Sequence, residues 1–370
     1  MTAIGLADDR VEHECGHGDR IRPWSAMQWP SFCDERDRPS PDALASVIGA
    51  FGLGDRSWRP STARAGTNSY NVVLEGHDGP RYVIKRHAVY DDRGTIDRLA
   101  GLTEQLRHLG VATRRLVCDR TGALVHRDPV TESLWECSEY IDGASFAGSL
   151  AQLRDLGVAT ARLHRALREL ATRGQAVVGH LPFWPTAGLP ESQFRSAFGA
   201  ACQVDGLAAA YRRLWPRLQS LWSDDGGQEE SMHGDLHLDN IRFAPDGAIC
   251  IYDFDVTRQQ QRGRDSDLGV ALHRTARTIA VERGSREPDA GCVGAIRTLS
   301  AAYAESFGAR VDPVQCLLLA ADESLRKMTS AFEHSHAGRH ASAWRRLFDN
   351  HIAYFIEIDQ LLFFEAALTL

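Results

Sequence analysis

Apolar and polar positions follow two different rhythms along this chain, and the rhythm changes near residue 143. Tyr70-Asn71-Val72-Val73-Leu74-Glu75 and Arg81-Tyr82-Val83-Ile84-Lys85 are β-prone runs, and Gly76-His77-Asp78-Gly79-Pro80 between them predicts a hairpin. Ile96, Leu99, Leu102, Leu106 and Leu109 then recur at helical spacing, and Gly110 ends the run. GALVHR and SLWECSEYI predict further strands before the turn at Asp142-Gly143. An earlier short helix opens at Ser40-Pro41-Asp42, where the missing proline N–H is harmless. The first half therefore reads as an antiparallel sheet carrying one helix.

From about residue 150 the period is helical. LAQLRDLGVATARLHRALREL is strongly amphipathic, and further helices are expected over roughly 191–222, 267–283, 289–307, 313–332 and 339–368. One segment, Ser231 to Thr257, interrupts them with strand-like runs and polar loops. The expected division is an irregular arm over 1–40, a sheet lobe over 41–142 and a helical lobe over 143–370. Pro23, Pro30, Pro39 and Pro41 break regular structure in the arm, while Trp24, Trp29 and Phe32 predict that part of it packs on the body.

Composition excludes more than it identifies. The 370 residues are 43% hydrophobic and 25% charged, an ordinary globular balance long enough for two lobes. A formal net charge of -7 argues against an electrostatic binder of nucleic acid or membranes. No apolar run reaches the ~20 residues of a bilayer span, and the first residues lack a signal-like apolar stretch, so a cytoplasmic location is expected. Eight cysteines are scattered without a CxxC pair, the spacing of reduced thiols. His13, Cys15, His17 and Cys33 lack a second ligand pair at zinc spacing, and the stretch reads as a polar leader.

The informative stretch is His233-Gly234-Asp235-Leu236-His237-Leu238-Asp239-Asn240, followed by ICIYDFD with Asp253. Phosphoryl transfer needs a carboxylate to orient the attacking hydroxyl, hard oxygen ligands for Mg²⁺, and a cation on the phosphate tail. The DxxxxN spacing sets a carboxylate and an amide oxygen at two ends of one loop, and a returning strand brings Asp253 beside the amide.

HGDLHLDN resembles the catalytic loop of the aminoglycoside phosphotransferase and choline kinase family, and YDFD resembles its metal-binding strand. The resemblance spans about residues 60 to 270. It implies a bilobal, protein-kinase-like α+β fold: a small N-lobe antiparallel sheet with one helix and a larger, mainly helical C-lobe. It implies ATP and Mg²⁺ as cofactors, Asp235 as catalytic base, and Asn240 and Asp253 as magnesium ligands. His233 and His237 are implied loop supports, Asp255 a second metal contact or a turn cap, and Asp267 a tie between catalytic loop and helix. Lys85 resembles the lysine that pairs with ATP phosphates, with Glu104 nineteen residues on as its ion-pair partner. Gly66, Thr67, Asn68 and Ser69 occupy the phosphate-covering loop, and the Glu139 carbonyl and Ile141 N–H occupy the adenine-reading hinge.

The resemblance implies a small-molecule hydroxyl acceptor: an aminoglycoside, amino alcohol, sugar, nucleoside or other natural product. The acceptor pocket is expected from helices at 186–222 and the C-terminal bundle. Arg195, Arg212, Arg213 and Arg217 there offset Glu191 and Asp205, so the acidic lining suited to an aminoglycoside is missing. Phe183, Trp184, Phe194, Trp215 and Trp222 read as helix core before they read as a cation cradle. His334, His336 and His340 read as a polar helix end. Two rival readings are a kinase for Ser or Thr of a peptide and a silent pseudokinase that only binds; the set Lys85, Glu104, Asp235, Asn240 and Asp253 argues against the second.

Overall fold

The computed structural model describes residues 23–25, 39–54, 58–62, 69–87, 92–175, 204, 206–223, 229–335 and 341–369. Gly66, Thr67, Asn68, Phe183, Trp184, Phe194, Trp29, Phe32, Glu191, Arg195, Asp205 and the His13–Cys33 set fall outside these residues, as do His336, His340 and the side chain of His334.

Helix α1 (Pro41–Ala50) starts where Ser40 caps it, its Oγ accepting from Ala43 N at 3.2 Å. Strands β1 (Arg59–Thr62), β2 (Tyr70–Gly76) and β3 (Gly79–Arg86) run antiparallel, with β2 and β3 joined by the predicted tight turn. Helix α2 (Arg93–His108) is capped by Asp92, and strands β4 (Leu116–Val117), β5 (Val125–Arg127) and β6 (Leu134–Glu139) complete the sheet. Its order is β1-β2-β3-β6-β4, with β5 also on β6.

Strand alternation gives the sheet two working faces. Val72, Leu74, Ile84, Trp135 and Cys137 pack beneath Leu44, Val47 and Ile48 of α1 and Phe51 at its end. On the opposite face Leu116, Val125 and Leu134 receive Ile96, Leu99 and Ala100 of α2. Lys85 and Glu136, opposite one another on β3 and β6, follow Ile84 and precede Cys137, so both belong to the α2 face.

The remainder is mainly helical. Helix α3 (Leu150–Thr172) buries Leu153, Leu156, Leu163, Leu167 and Leu170 along one stripe, as its periodicity predicts. Helix α4 (Leu207–Ser223) follows, then β7 (Glu229–Met232), a 3₁₀ turn (Leu238–Asn240), β8 (Ile241–Phe243), β9 (Ile249–Ile251) and β10 (Arg258–Gln261). The two small ribbons are β8-β9 and β7-β10. Helices α5 (Gly263–Glu282), α6 (Ala290–Phe307), α7 (Pro313–Ser335), α8 (Ala341–Leu362) and α9 (Glu365–Leu368) form a bundle around one extended apolar core.

Gly269 marks a close backbone approach in that bundle. A Cβ there would lie 1.9 Å from the Cys316 carbonyl oxygen, so α5 and α7 meet backbone to backbone. Trp24 is buried against α8: its N–H donates to Glu357 Oε1 and its indole Nε1–H to Gln360 Oε1, both at 2.6 Å. This part of the arm packs on the body as its aromatics predict. Among the described residues no helix is long and apolar enough to cross a membrane, and the described cysteines, 118, 137, 250, 292 and 316, are free thiols.

Candidate active site

Strand β7 delivers the chain into a sharp loop. Gly234 has φ +86°, and a Cβ on it would lie 2.4 Å from Val256 O, so only glycine fits. The N–H groups of His233 and Gly234 both donate to the carboxylate of Asp267, the second at 2.8 Å, and His164 Nε2 lies 3.3 Å from the same group. Burial pushes the Asp267 carboxyl up, but His164 and these donors outweigh it and hold it below its ordinary value. His233 Nε2 lies 3.0 Å from Tyr252 O. His233 and Asp267 thus hold the loop in place, the supporting roles expected of them.

Asp235 projects from this loop between two partners. Lys327 of α7 places Nζ 3.1 Å from Oδ1, and His237 places Nε2 3.1 Å from Oδ2. Asp239 N donates to His237 Nδ1 at 3.2 Å, so that nitrogen is the acceptor and the ring proton sits on Nε2, facing Asp235. Burial would raise the Asp235 carboxyl, but Lys327 first and His237 next hold it well below its ordinary value. Asn240 Nδ2 donates to Asp235 O at 3.0 Å, which ties the two ends of the DxxxxN loop and leaves its amide oxygen for another contact.

The β8-β9 ribbon then returns the chain to this point. Asp253 takes φ +68°, a left-handed conformation that aspartate tolerates better than most residues. Its Oδ1 accepts from Lys85 Nζ at 2.8 Å, and Asp255 Oδ2 accepts from the same nitrogen at 2.5 Å. The Lys85 side chain is 4% exposed, whereas those of Asp253 and Asp255 are 41% and 28% exposed and reachable from solvent. Burial would lower the Lys85 pKa, but the two aspartates outweigh it and raise it. Residues 85, 235, 240 and 253, separated by up to 168 positions, therefore converge.

The expected Lys85–Glu104 pair is not formed. Glu104 accepts from Leu116 N at 3.0 Å and pairs with Arg107 at 2.8 Å. The reason is sheet topology: α2 packs over β4 and β5, and β6 stands between that edge and β3. The carboxylate on β6 opposite Lys85 is Glu136, which is buried and paired with Arg114, with His87 Nε2 3.5 Å away.

Ser69 is buried at the edge of the expected phosphate loop, with Asn71 Nδ2 3.4 Å from its Oγ. At the expected hinge, Glu139 N donates to Arg115 O and Tyr140 N to Arg81 O, each at 2.9 Å. The Ile141 N–H makes no backbone hydrogen bond among the described residues. The chain then crosses to the helical part, where Ala144 bridges Phe243 of β8. Beside the Asp235 loop lies a cavity of about 190 Å³, bounded by His237, Asp239, Arg274, Arg277, Glu282 and Tyr354. Trp215 and Trp222 pack against the main core, and Trp222 Nε1 donates to Asp322, so these two aromatics are core.

Sequence reasoning missed Lys327, Arg114 and Glu136. Glu323 and Lys327 stand four apart, the spacing of an ordinary solvent-exposed pair, yet both are buried here.

A profile of the phosphotransferase enzyme family matches residues 61–285, more than half of the chain. No curated protein matches the sequence. Among solved structures, a spectinomycin phosphotransferase in complex with ADP and spectinomycin is 15% identical, with TM-score 0.59, covering 88% of this chain and 98% of its own. A microcompartment-associated aminopropanol kinase is 16% identical, with TM-score 0.57 and the same two coverages. An amicoumacin kinase in complex with AMP-PNP, Ca²⁺ and Ami is 14% identical, with TM-score 0.57, covering 86% and 94%. At these identities the three establish the shared fold.

Proposed function

Because the chain belongs to the phosphotransferase enzyme family, we propose that it is an ATP-dependent kinase that phosphorylates a hydroxyl group of a small molecule. The observation that carries this reading is the convergence of Lys85, Asp253 and Asp255 beside the Asp235 loop. Lobes spanning 41–142 and 143–370 would hold the nucleotide between them. The Glu139 carbonyl and Ile141 N–H would read the adenine, and Gly66, Thr67, Asn68 and Ser69 would cover the phosphates.

The donor set fits Mg²⁺. Among the described residues no three His, Cys, Asp or Glu side chains are grouped to hold a metal alone. Mg²⁺ instead takes one or two carboxylates and completes its octahedron with water and phosphate oxygens. Asp253, the Asn240 amide oxygen and Asp255 are hard donors of that kind. Bound there, Mg²⁺ would screen the phosphate charge and hold the triphosphate against the loop. Lys85 would turn from the aspartates to phosphate oxygens. Asp235, fixed as an anion, would orient the acceptor hydroxyl in line and receive its proton, a contribution of about 10²–10⁴-fold.

The acceptor reading is narrowed by pairing in α7 and α8. Asp322 is held by Arg326, Glu323 by Arg258, Glu357 by Arg277 and His273, and Asp359 by Arg213. Each of these four buried acids already has a cation, so these two helices offer little to attract the ammonium groups of an aminoglycoside. We place the acceptor among hydroxyl compounds of low positive charge.

The test is ATP consumption with Mg²⁺ across sugars, nucleosides, hydroxy acids, amino alcohols and aminoglycosides, beside Asp235→Asn. A product made by the wild type and lost in the variant is expected. An inability of the wild type to bind ATP would overturn the kinase reading.

A further inference from the structure

Helix α2 leaves Lys85 without the glutamate expected of it, and the sheet supplies a different group. Glu136 stands directly across from Lys85 on β6, a position where cross-strand side chains lie about 4.5–5.5 Å apart at Cβ. Its Oε1 pairs with Arg114, which enters from the segment between α2 and β4. Arg114 is nearly as buried as its partner, with side chains 11% and 2% exposed. Through Glu136 it stands one cross-strand pair from Lys85, the residue that holds Asp253 and Asp255. Its Nε–H is buried and has no hydrogen-bond partner among the described residues, nor does Nδ1 of the neighbouring His87. A buried guanidinium donor without an acceptor is costly unless a ligand supplies one.

The charges explain what that ligand would be. Two cations stand among three carboxylates: Lys85 is held by Asp253 and Asp255, and Arg114 by Glu136. Asp253 and Asp255 are solvent-reachable, while Glu136 is sealed between Arg114 and His87. A divalent cation on the two reachable aspartates would release Lys85 toward an anion, and Glu136 would hold Arg114 beside it. Guanidinium is suited to that task, since its planar fork can spend one nitrogen on a carboxylate and others on phosphate oxygens.

We propose that Arg114 is a second ligand for the nucleotide phosphates beside Lys85, and that Glu136 on β6, in place of Glu104 on α2, anchors this pair of cations; the inference rests on the kinase reading above. The site is then assembled by strand register. It does not depend on where α2 stands.

The experiment is calorimetric binding of ATP, ADP and AMP, with and without Mg²⁺, to the full chain. Arg114→Gln should weaken ATP at least tenfold, ADP less, and AMP by no more than twofold. Glu136→Gln should follow the same order with a smaller loss, and Glu104→Gln should stay within twofold throughout. Because a lone substitution leaves a buried charge unpaired, the double variant Arg114→Gln/Glu136→Gln separates ligand from scaffold. It should keep a wild-type melting temperature and still bind ATP weakly. Recovery of ATP affinity in the double variant, or an equal loss in Glu104→Gln, would overturn the proposal while leaving the kinase reading intact. A wild type that binds no ATP would instead remove the kinase reading on which the proposal stands.

Discussion

The two halves of the site are built on opposite plans. Around Asp235 every contact is internal and fixed: Lys327 from α7, His237 from within the loop, and Asp267 from α5 through the backbone of His233 and Gly234. Around Lys85 the partners are the half-open carboxylates of Asp253 and Asp255, groups that a cation can reach. In the kinase reading, one half would be preorganised for orientation, and the other would hold its lysine with contacts that a ligand exchanges. Preorganised charge costs no rearrangement at the moment of reaction, whereas exchangeable pairing lets substrate enter and leave.

Substitutions at the fixed half should therefore act on turnover. Asp235→Asn is expected to lower kcat by about 10³-fold while ATP binding, read by calorimetry, is retained. Loss of ATP affinity in that variant would erase the division between the halves. Lys327→Met should cost less, about 10- to 100-fold in kcat, the value of a charged hydrogen bond of 1.5–3 kcal/mol. Its KM for ATP should change by less than about threefold, and Lys327→Arg should recover part of the rate; a purely structural lysine would not give that split. The comparison sharpens further if Lys85→Met shows the reverse pattern, with KM for ATP rising more than kcat falls.

Acid stability examines the anchor behind the exchangeable half. Burial would raise Glu136, but Arg114 and then His87 and Lys85 outweigh it and bring its pKa down to about 2 from 4.5. A folded-state pKa lowered in this way contributes stability that is complete above about pH 4.5 and lost as pH falls toward 2. Urea titrations should show the wild type losing stability over that window more steeply than Glu136→Gln. The smallest effect is expected at the hinge, where adenine would be read by backbone groups. Glu139→Ala should shift KM for ATP by less than about twofold, and a larger change would place its side chain in contact with nucleotide.

Much of this was legible in the chain. The Asp235 loop was readable because its parts lie within eight residues, so local spacing already sets the geometry of Asp235 and Asn240. The hairpin around Lys85 and the capped helices were readable for the same reason. Glu104 misled because its pairing depends on which strands α2 covers, and no local pattern states that β6 lies between. Lys327 and Glu136 were silent because burial of a charge is decided by residues distant in the chain, Asp235 and Arg114 respectively. Strand β10, RQQQ, has no apolar alternation at all and is a strand only because β7 pairs with it.

The contact at Gly269 sets a hard stop between two supports of one carboxylate. Helix α5 carries Asp267, which holds the loop backbone, and two residues later meets α7, which carries Lys327. No side chain lies between them at Cys316 to yield or swell, so the gap is gauged by the radius of a carbonyl oxygen. Any methyl added at position 269 would act as a shim, prising Lys327 from Asp235 several turns away while leaving every motif residue untouched.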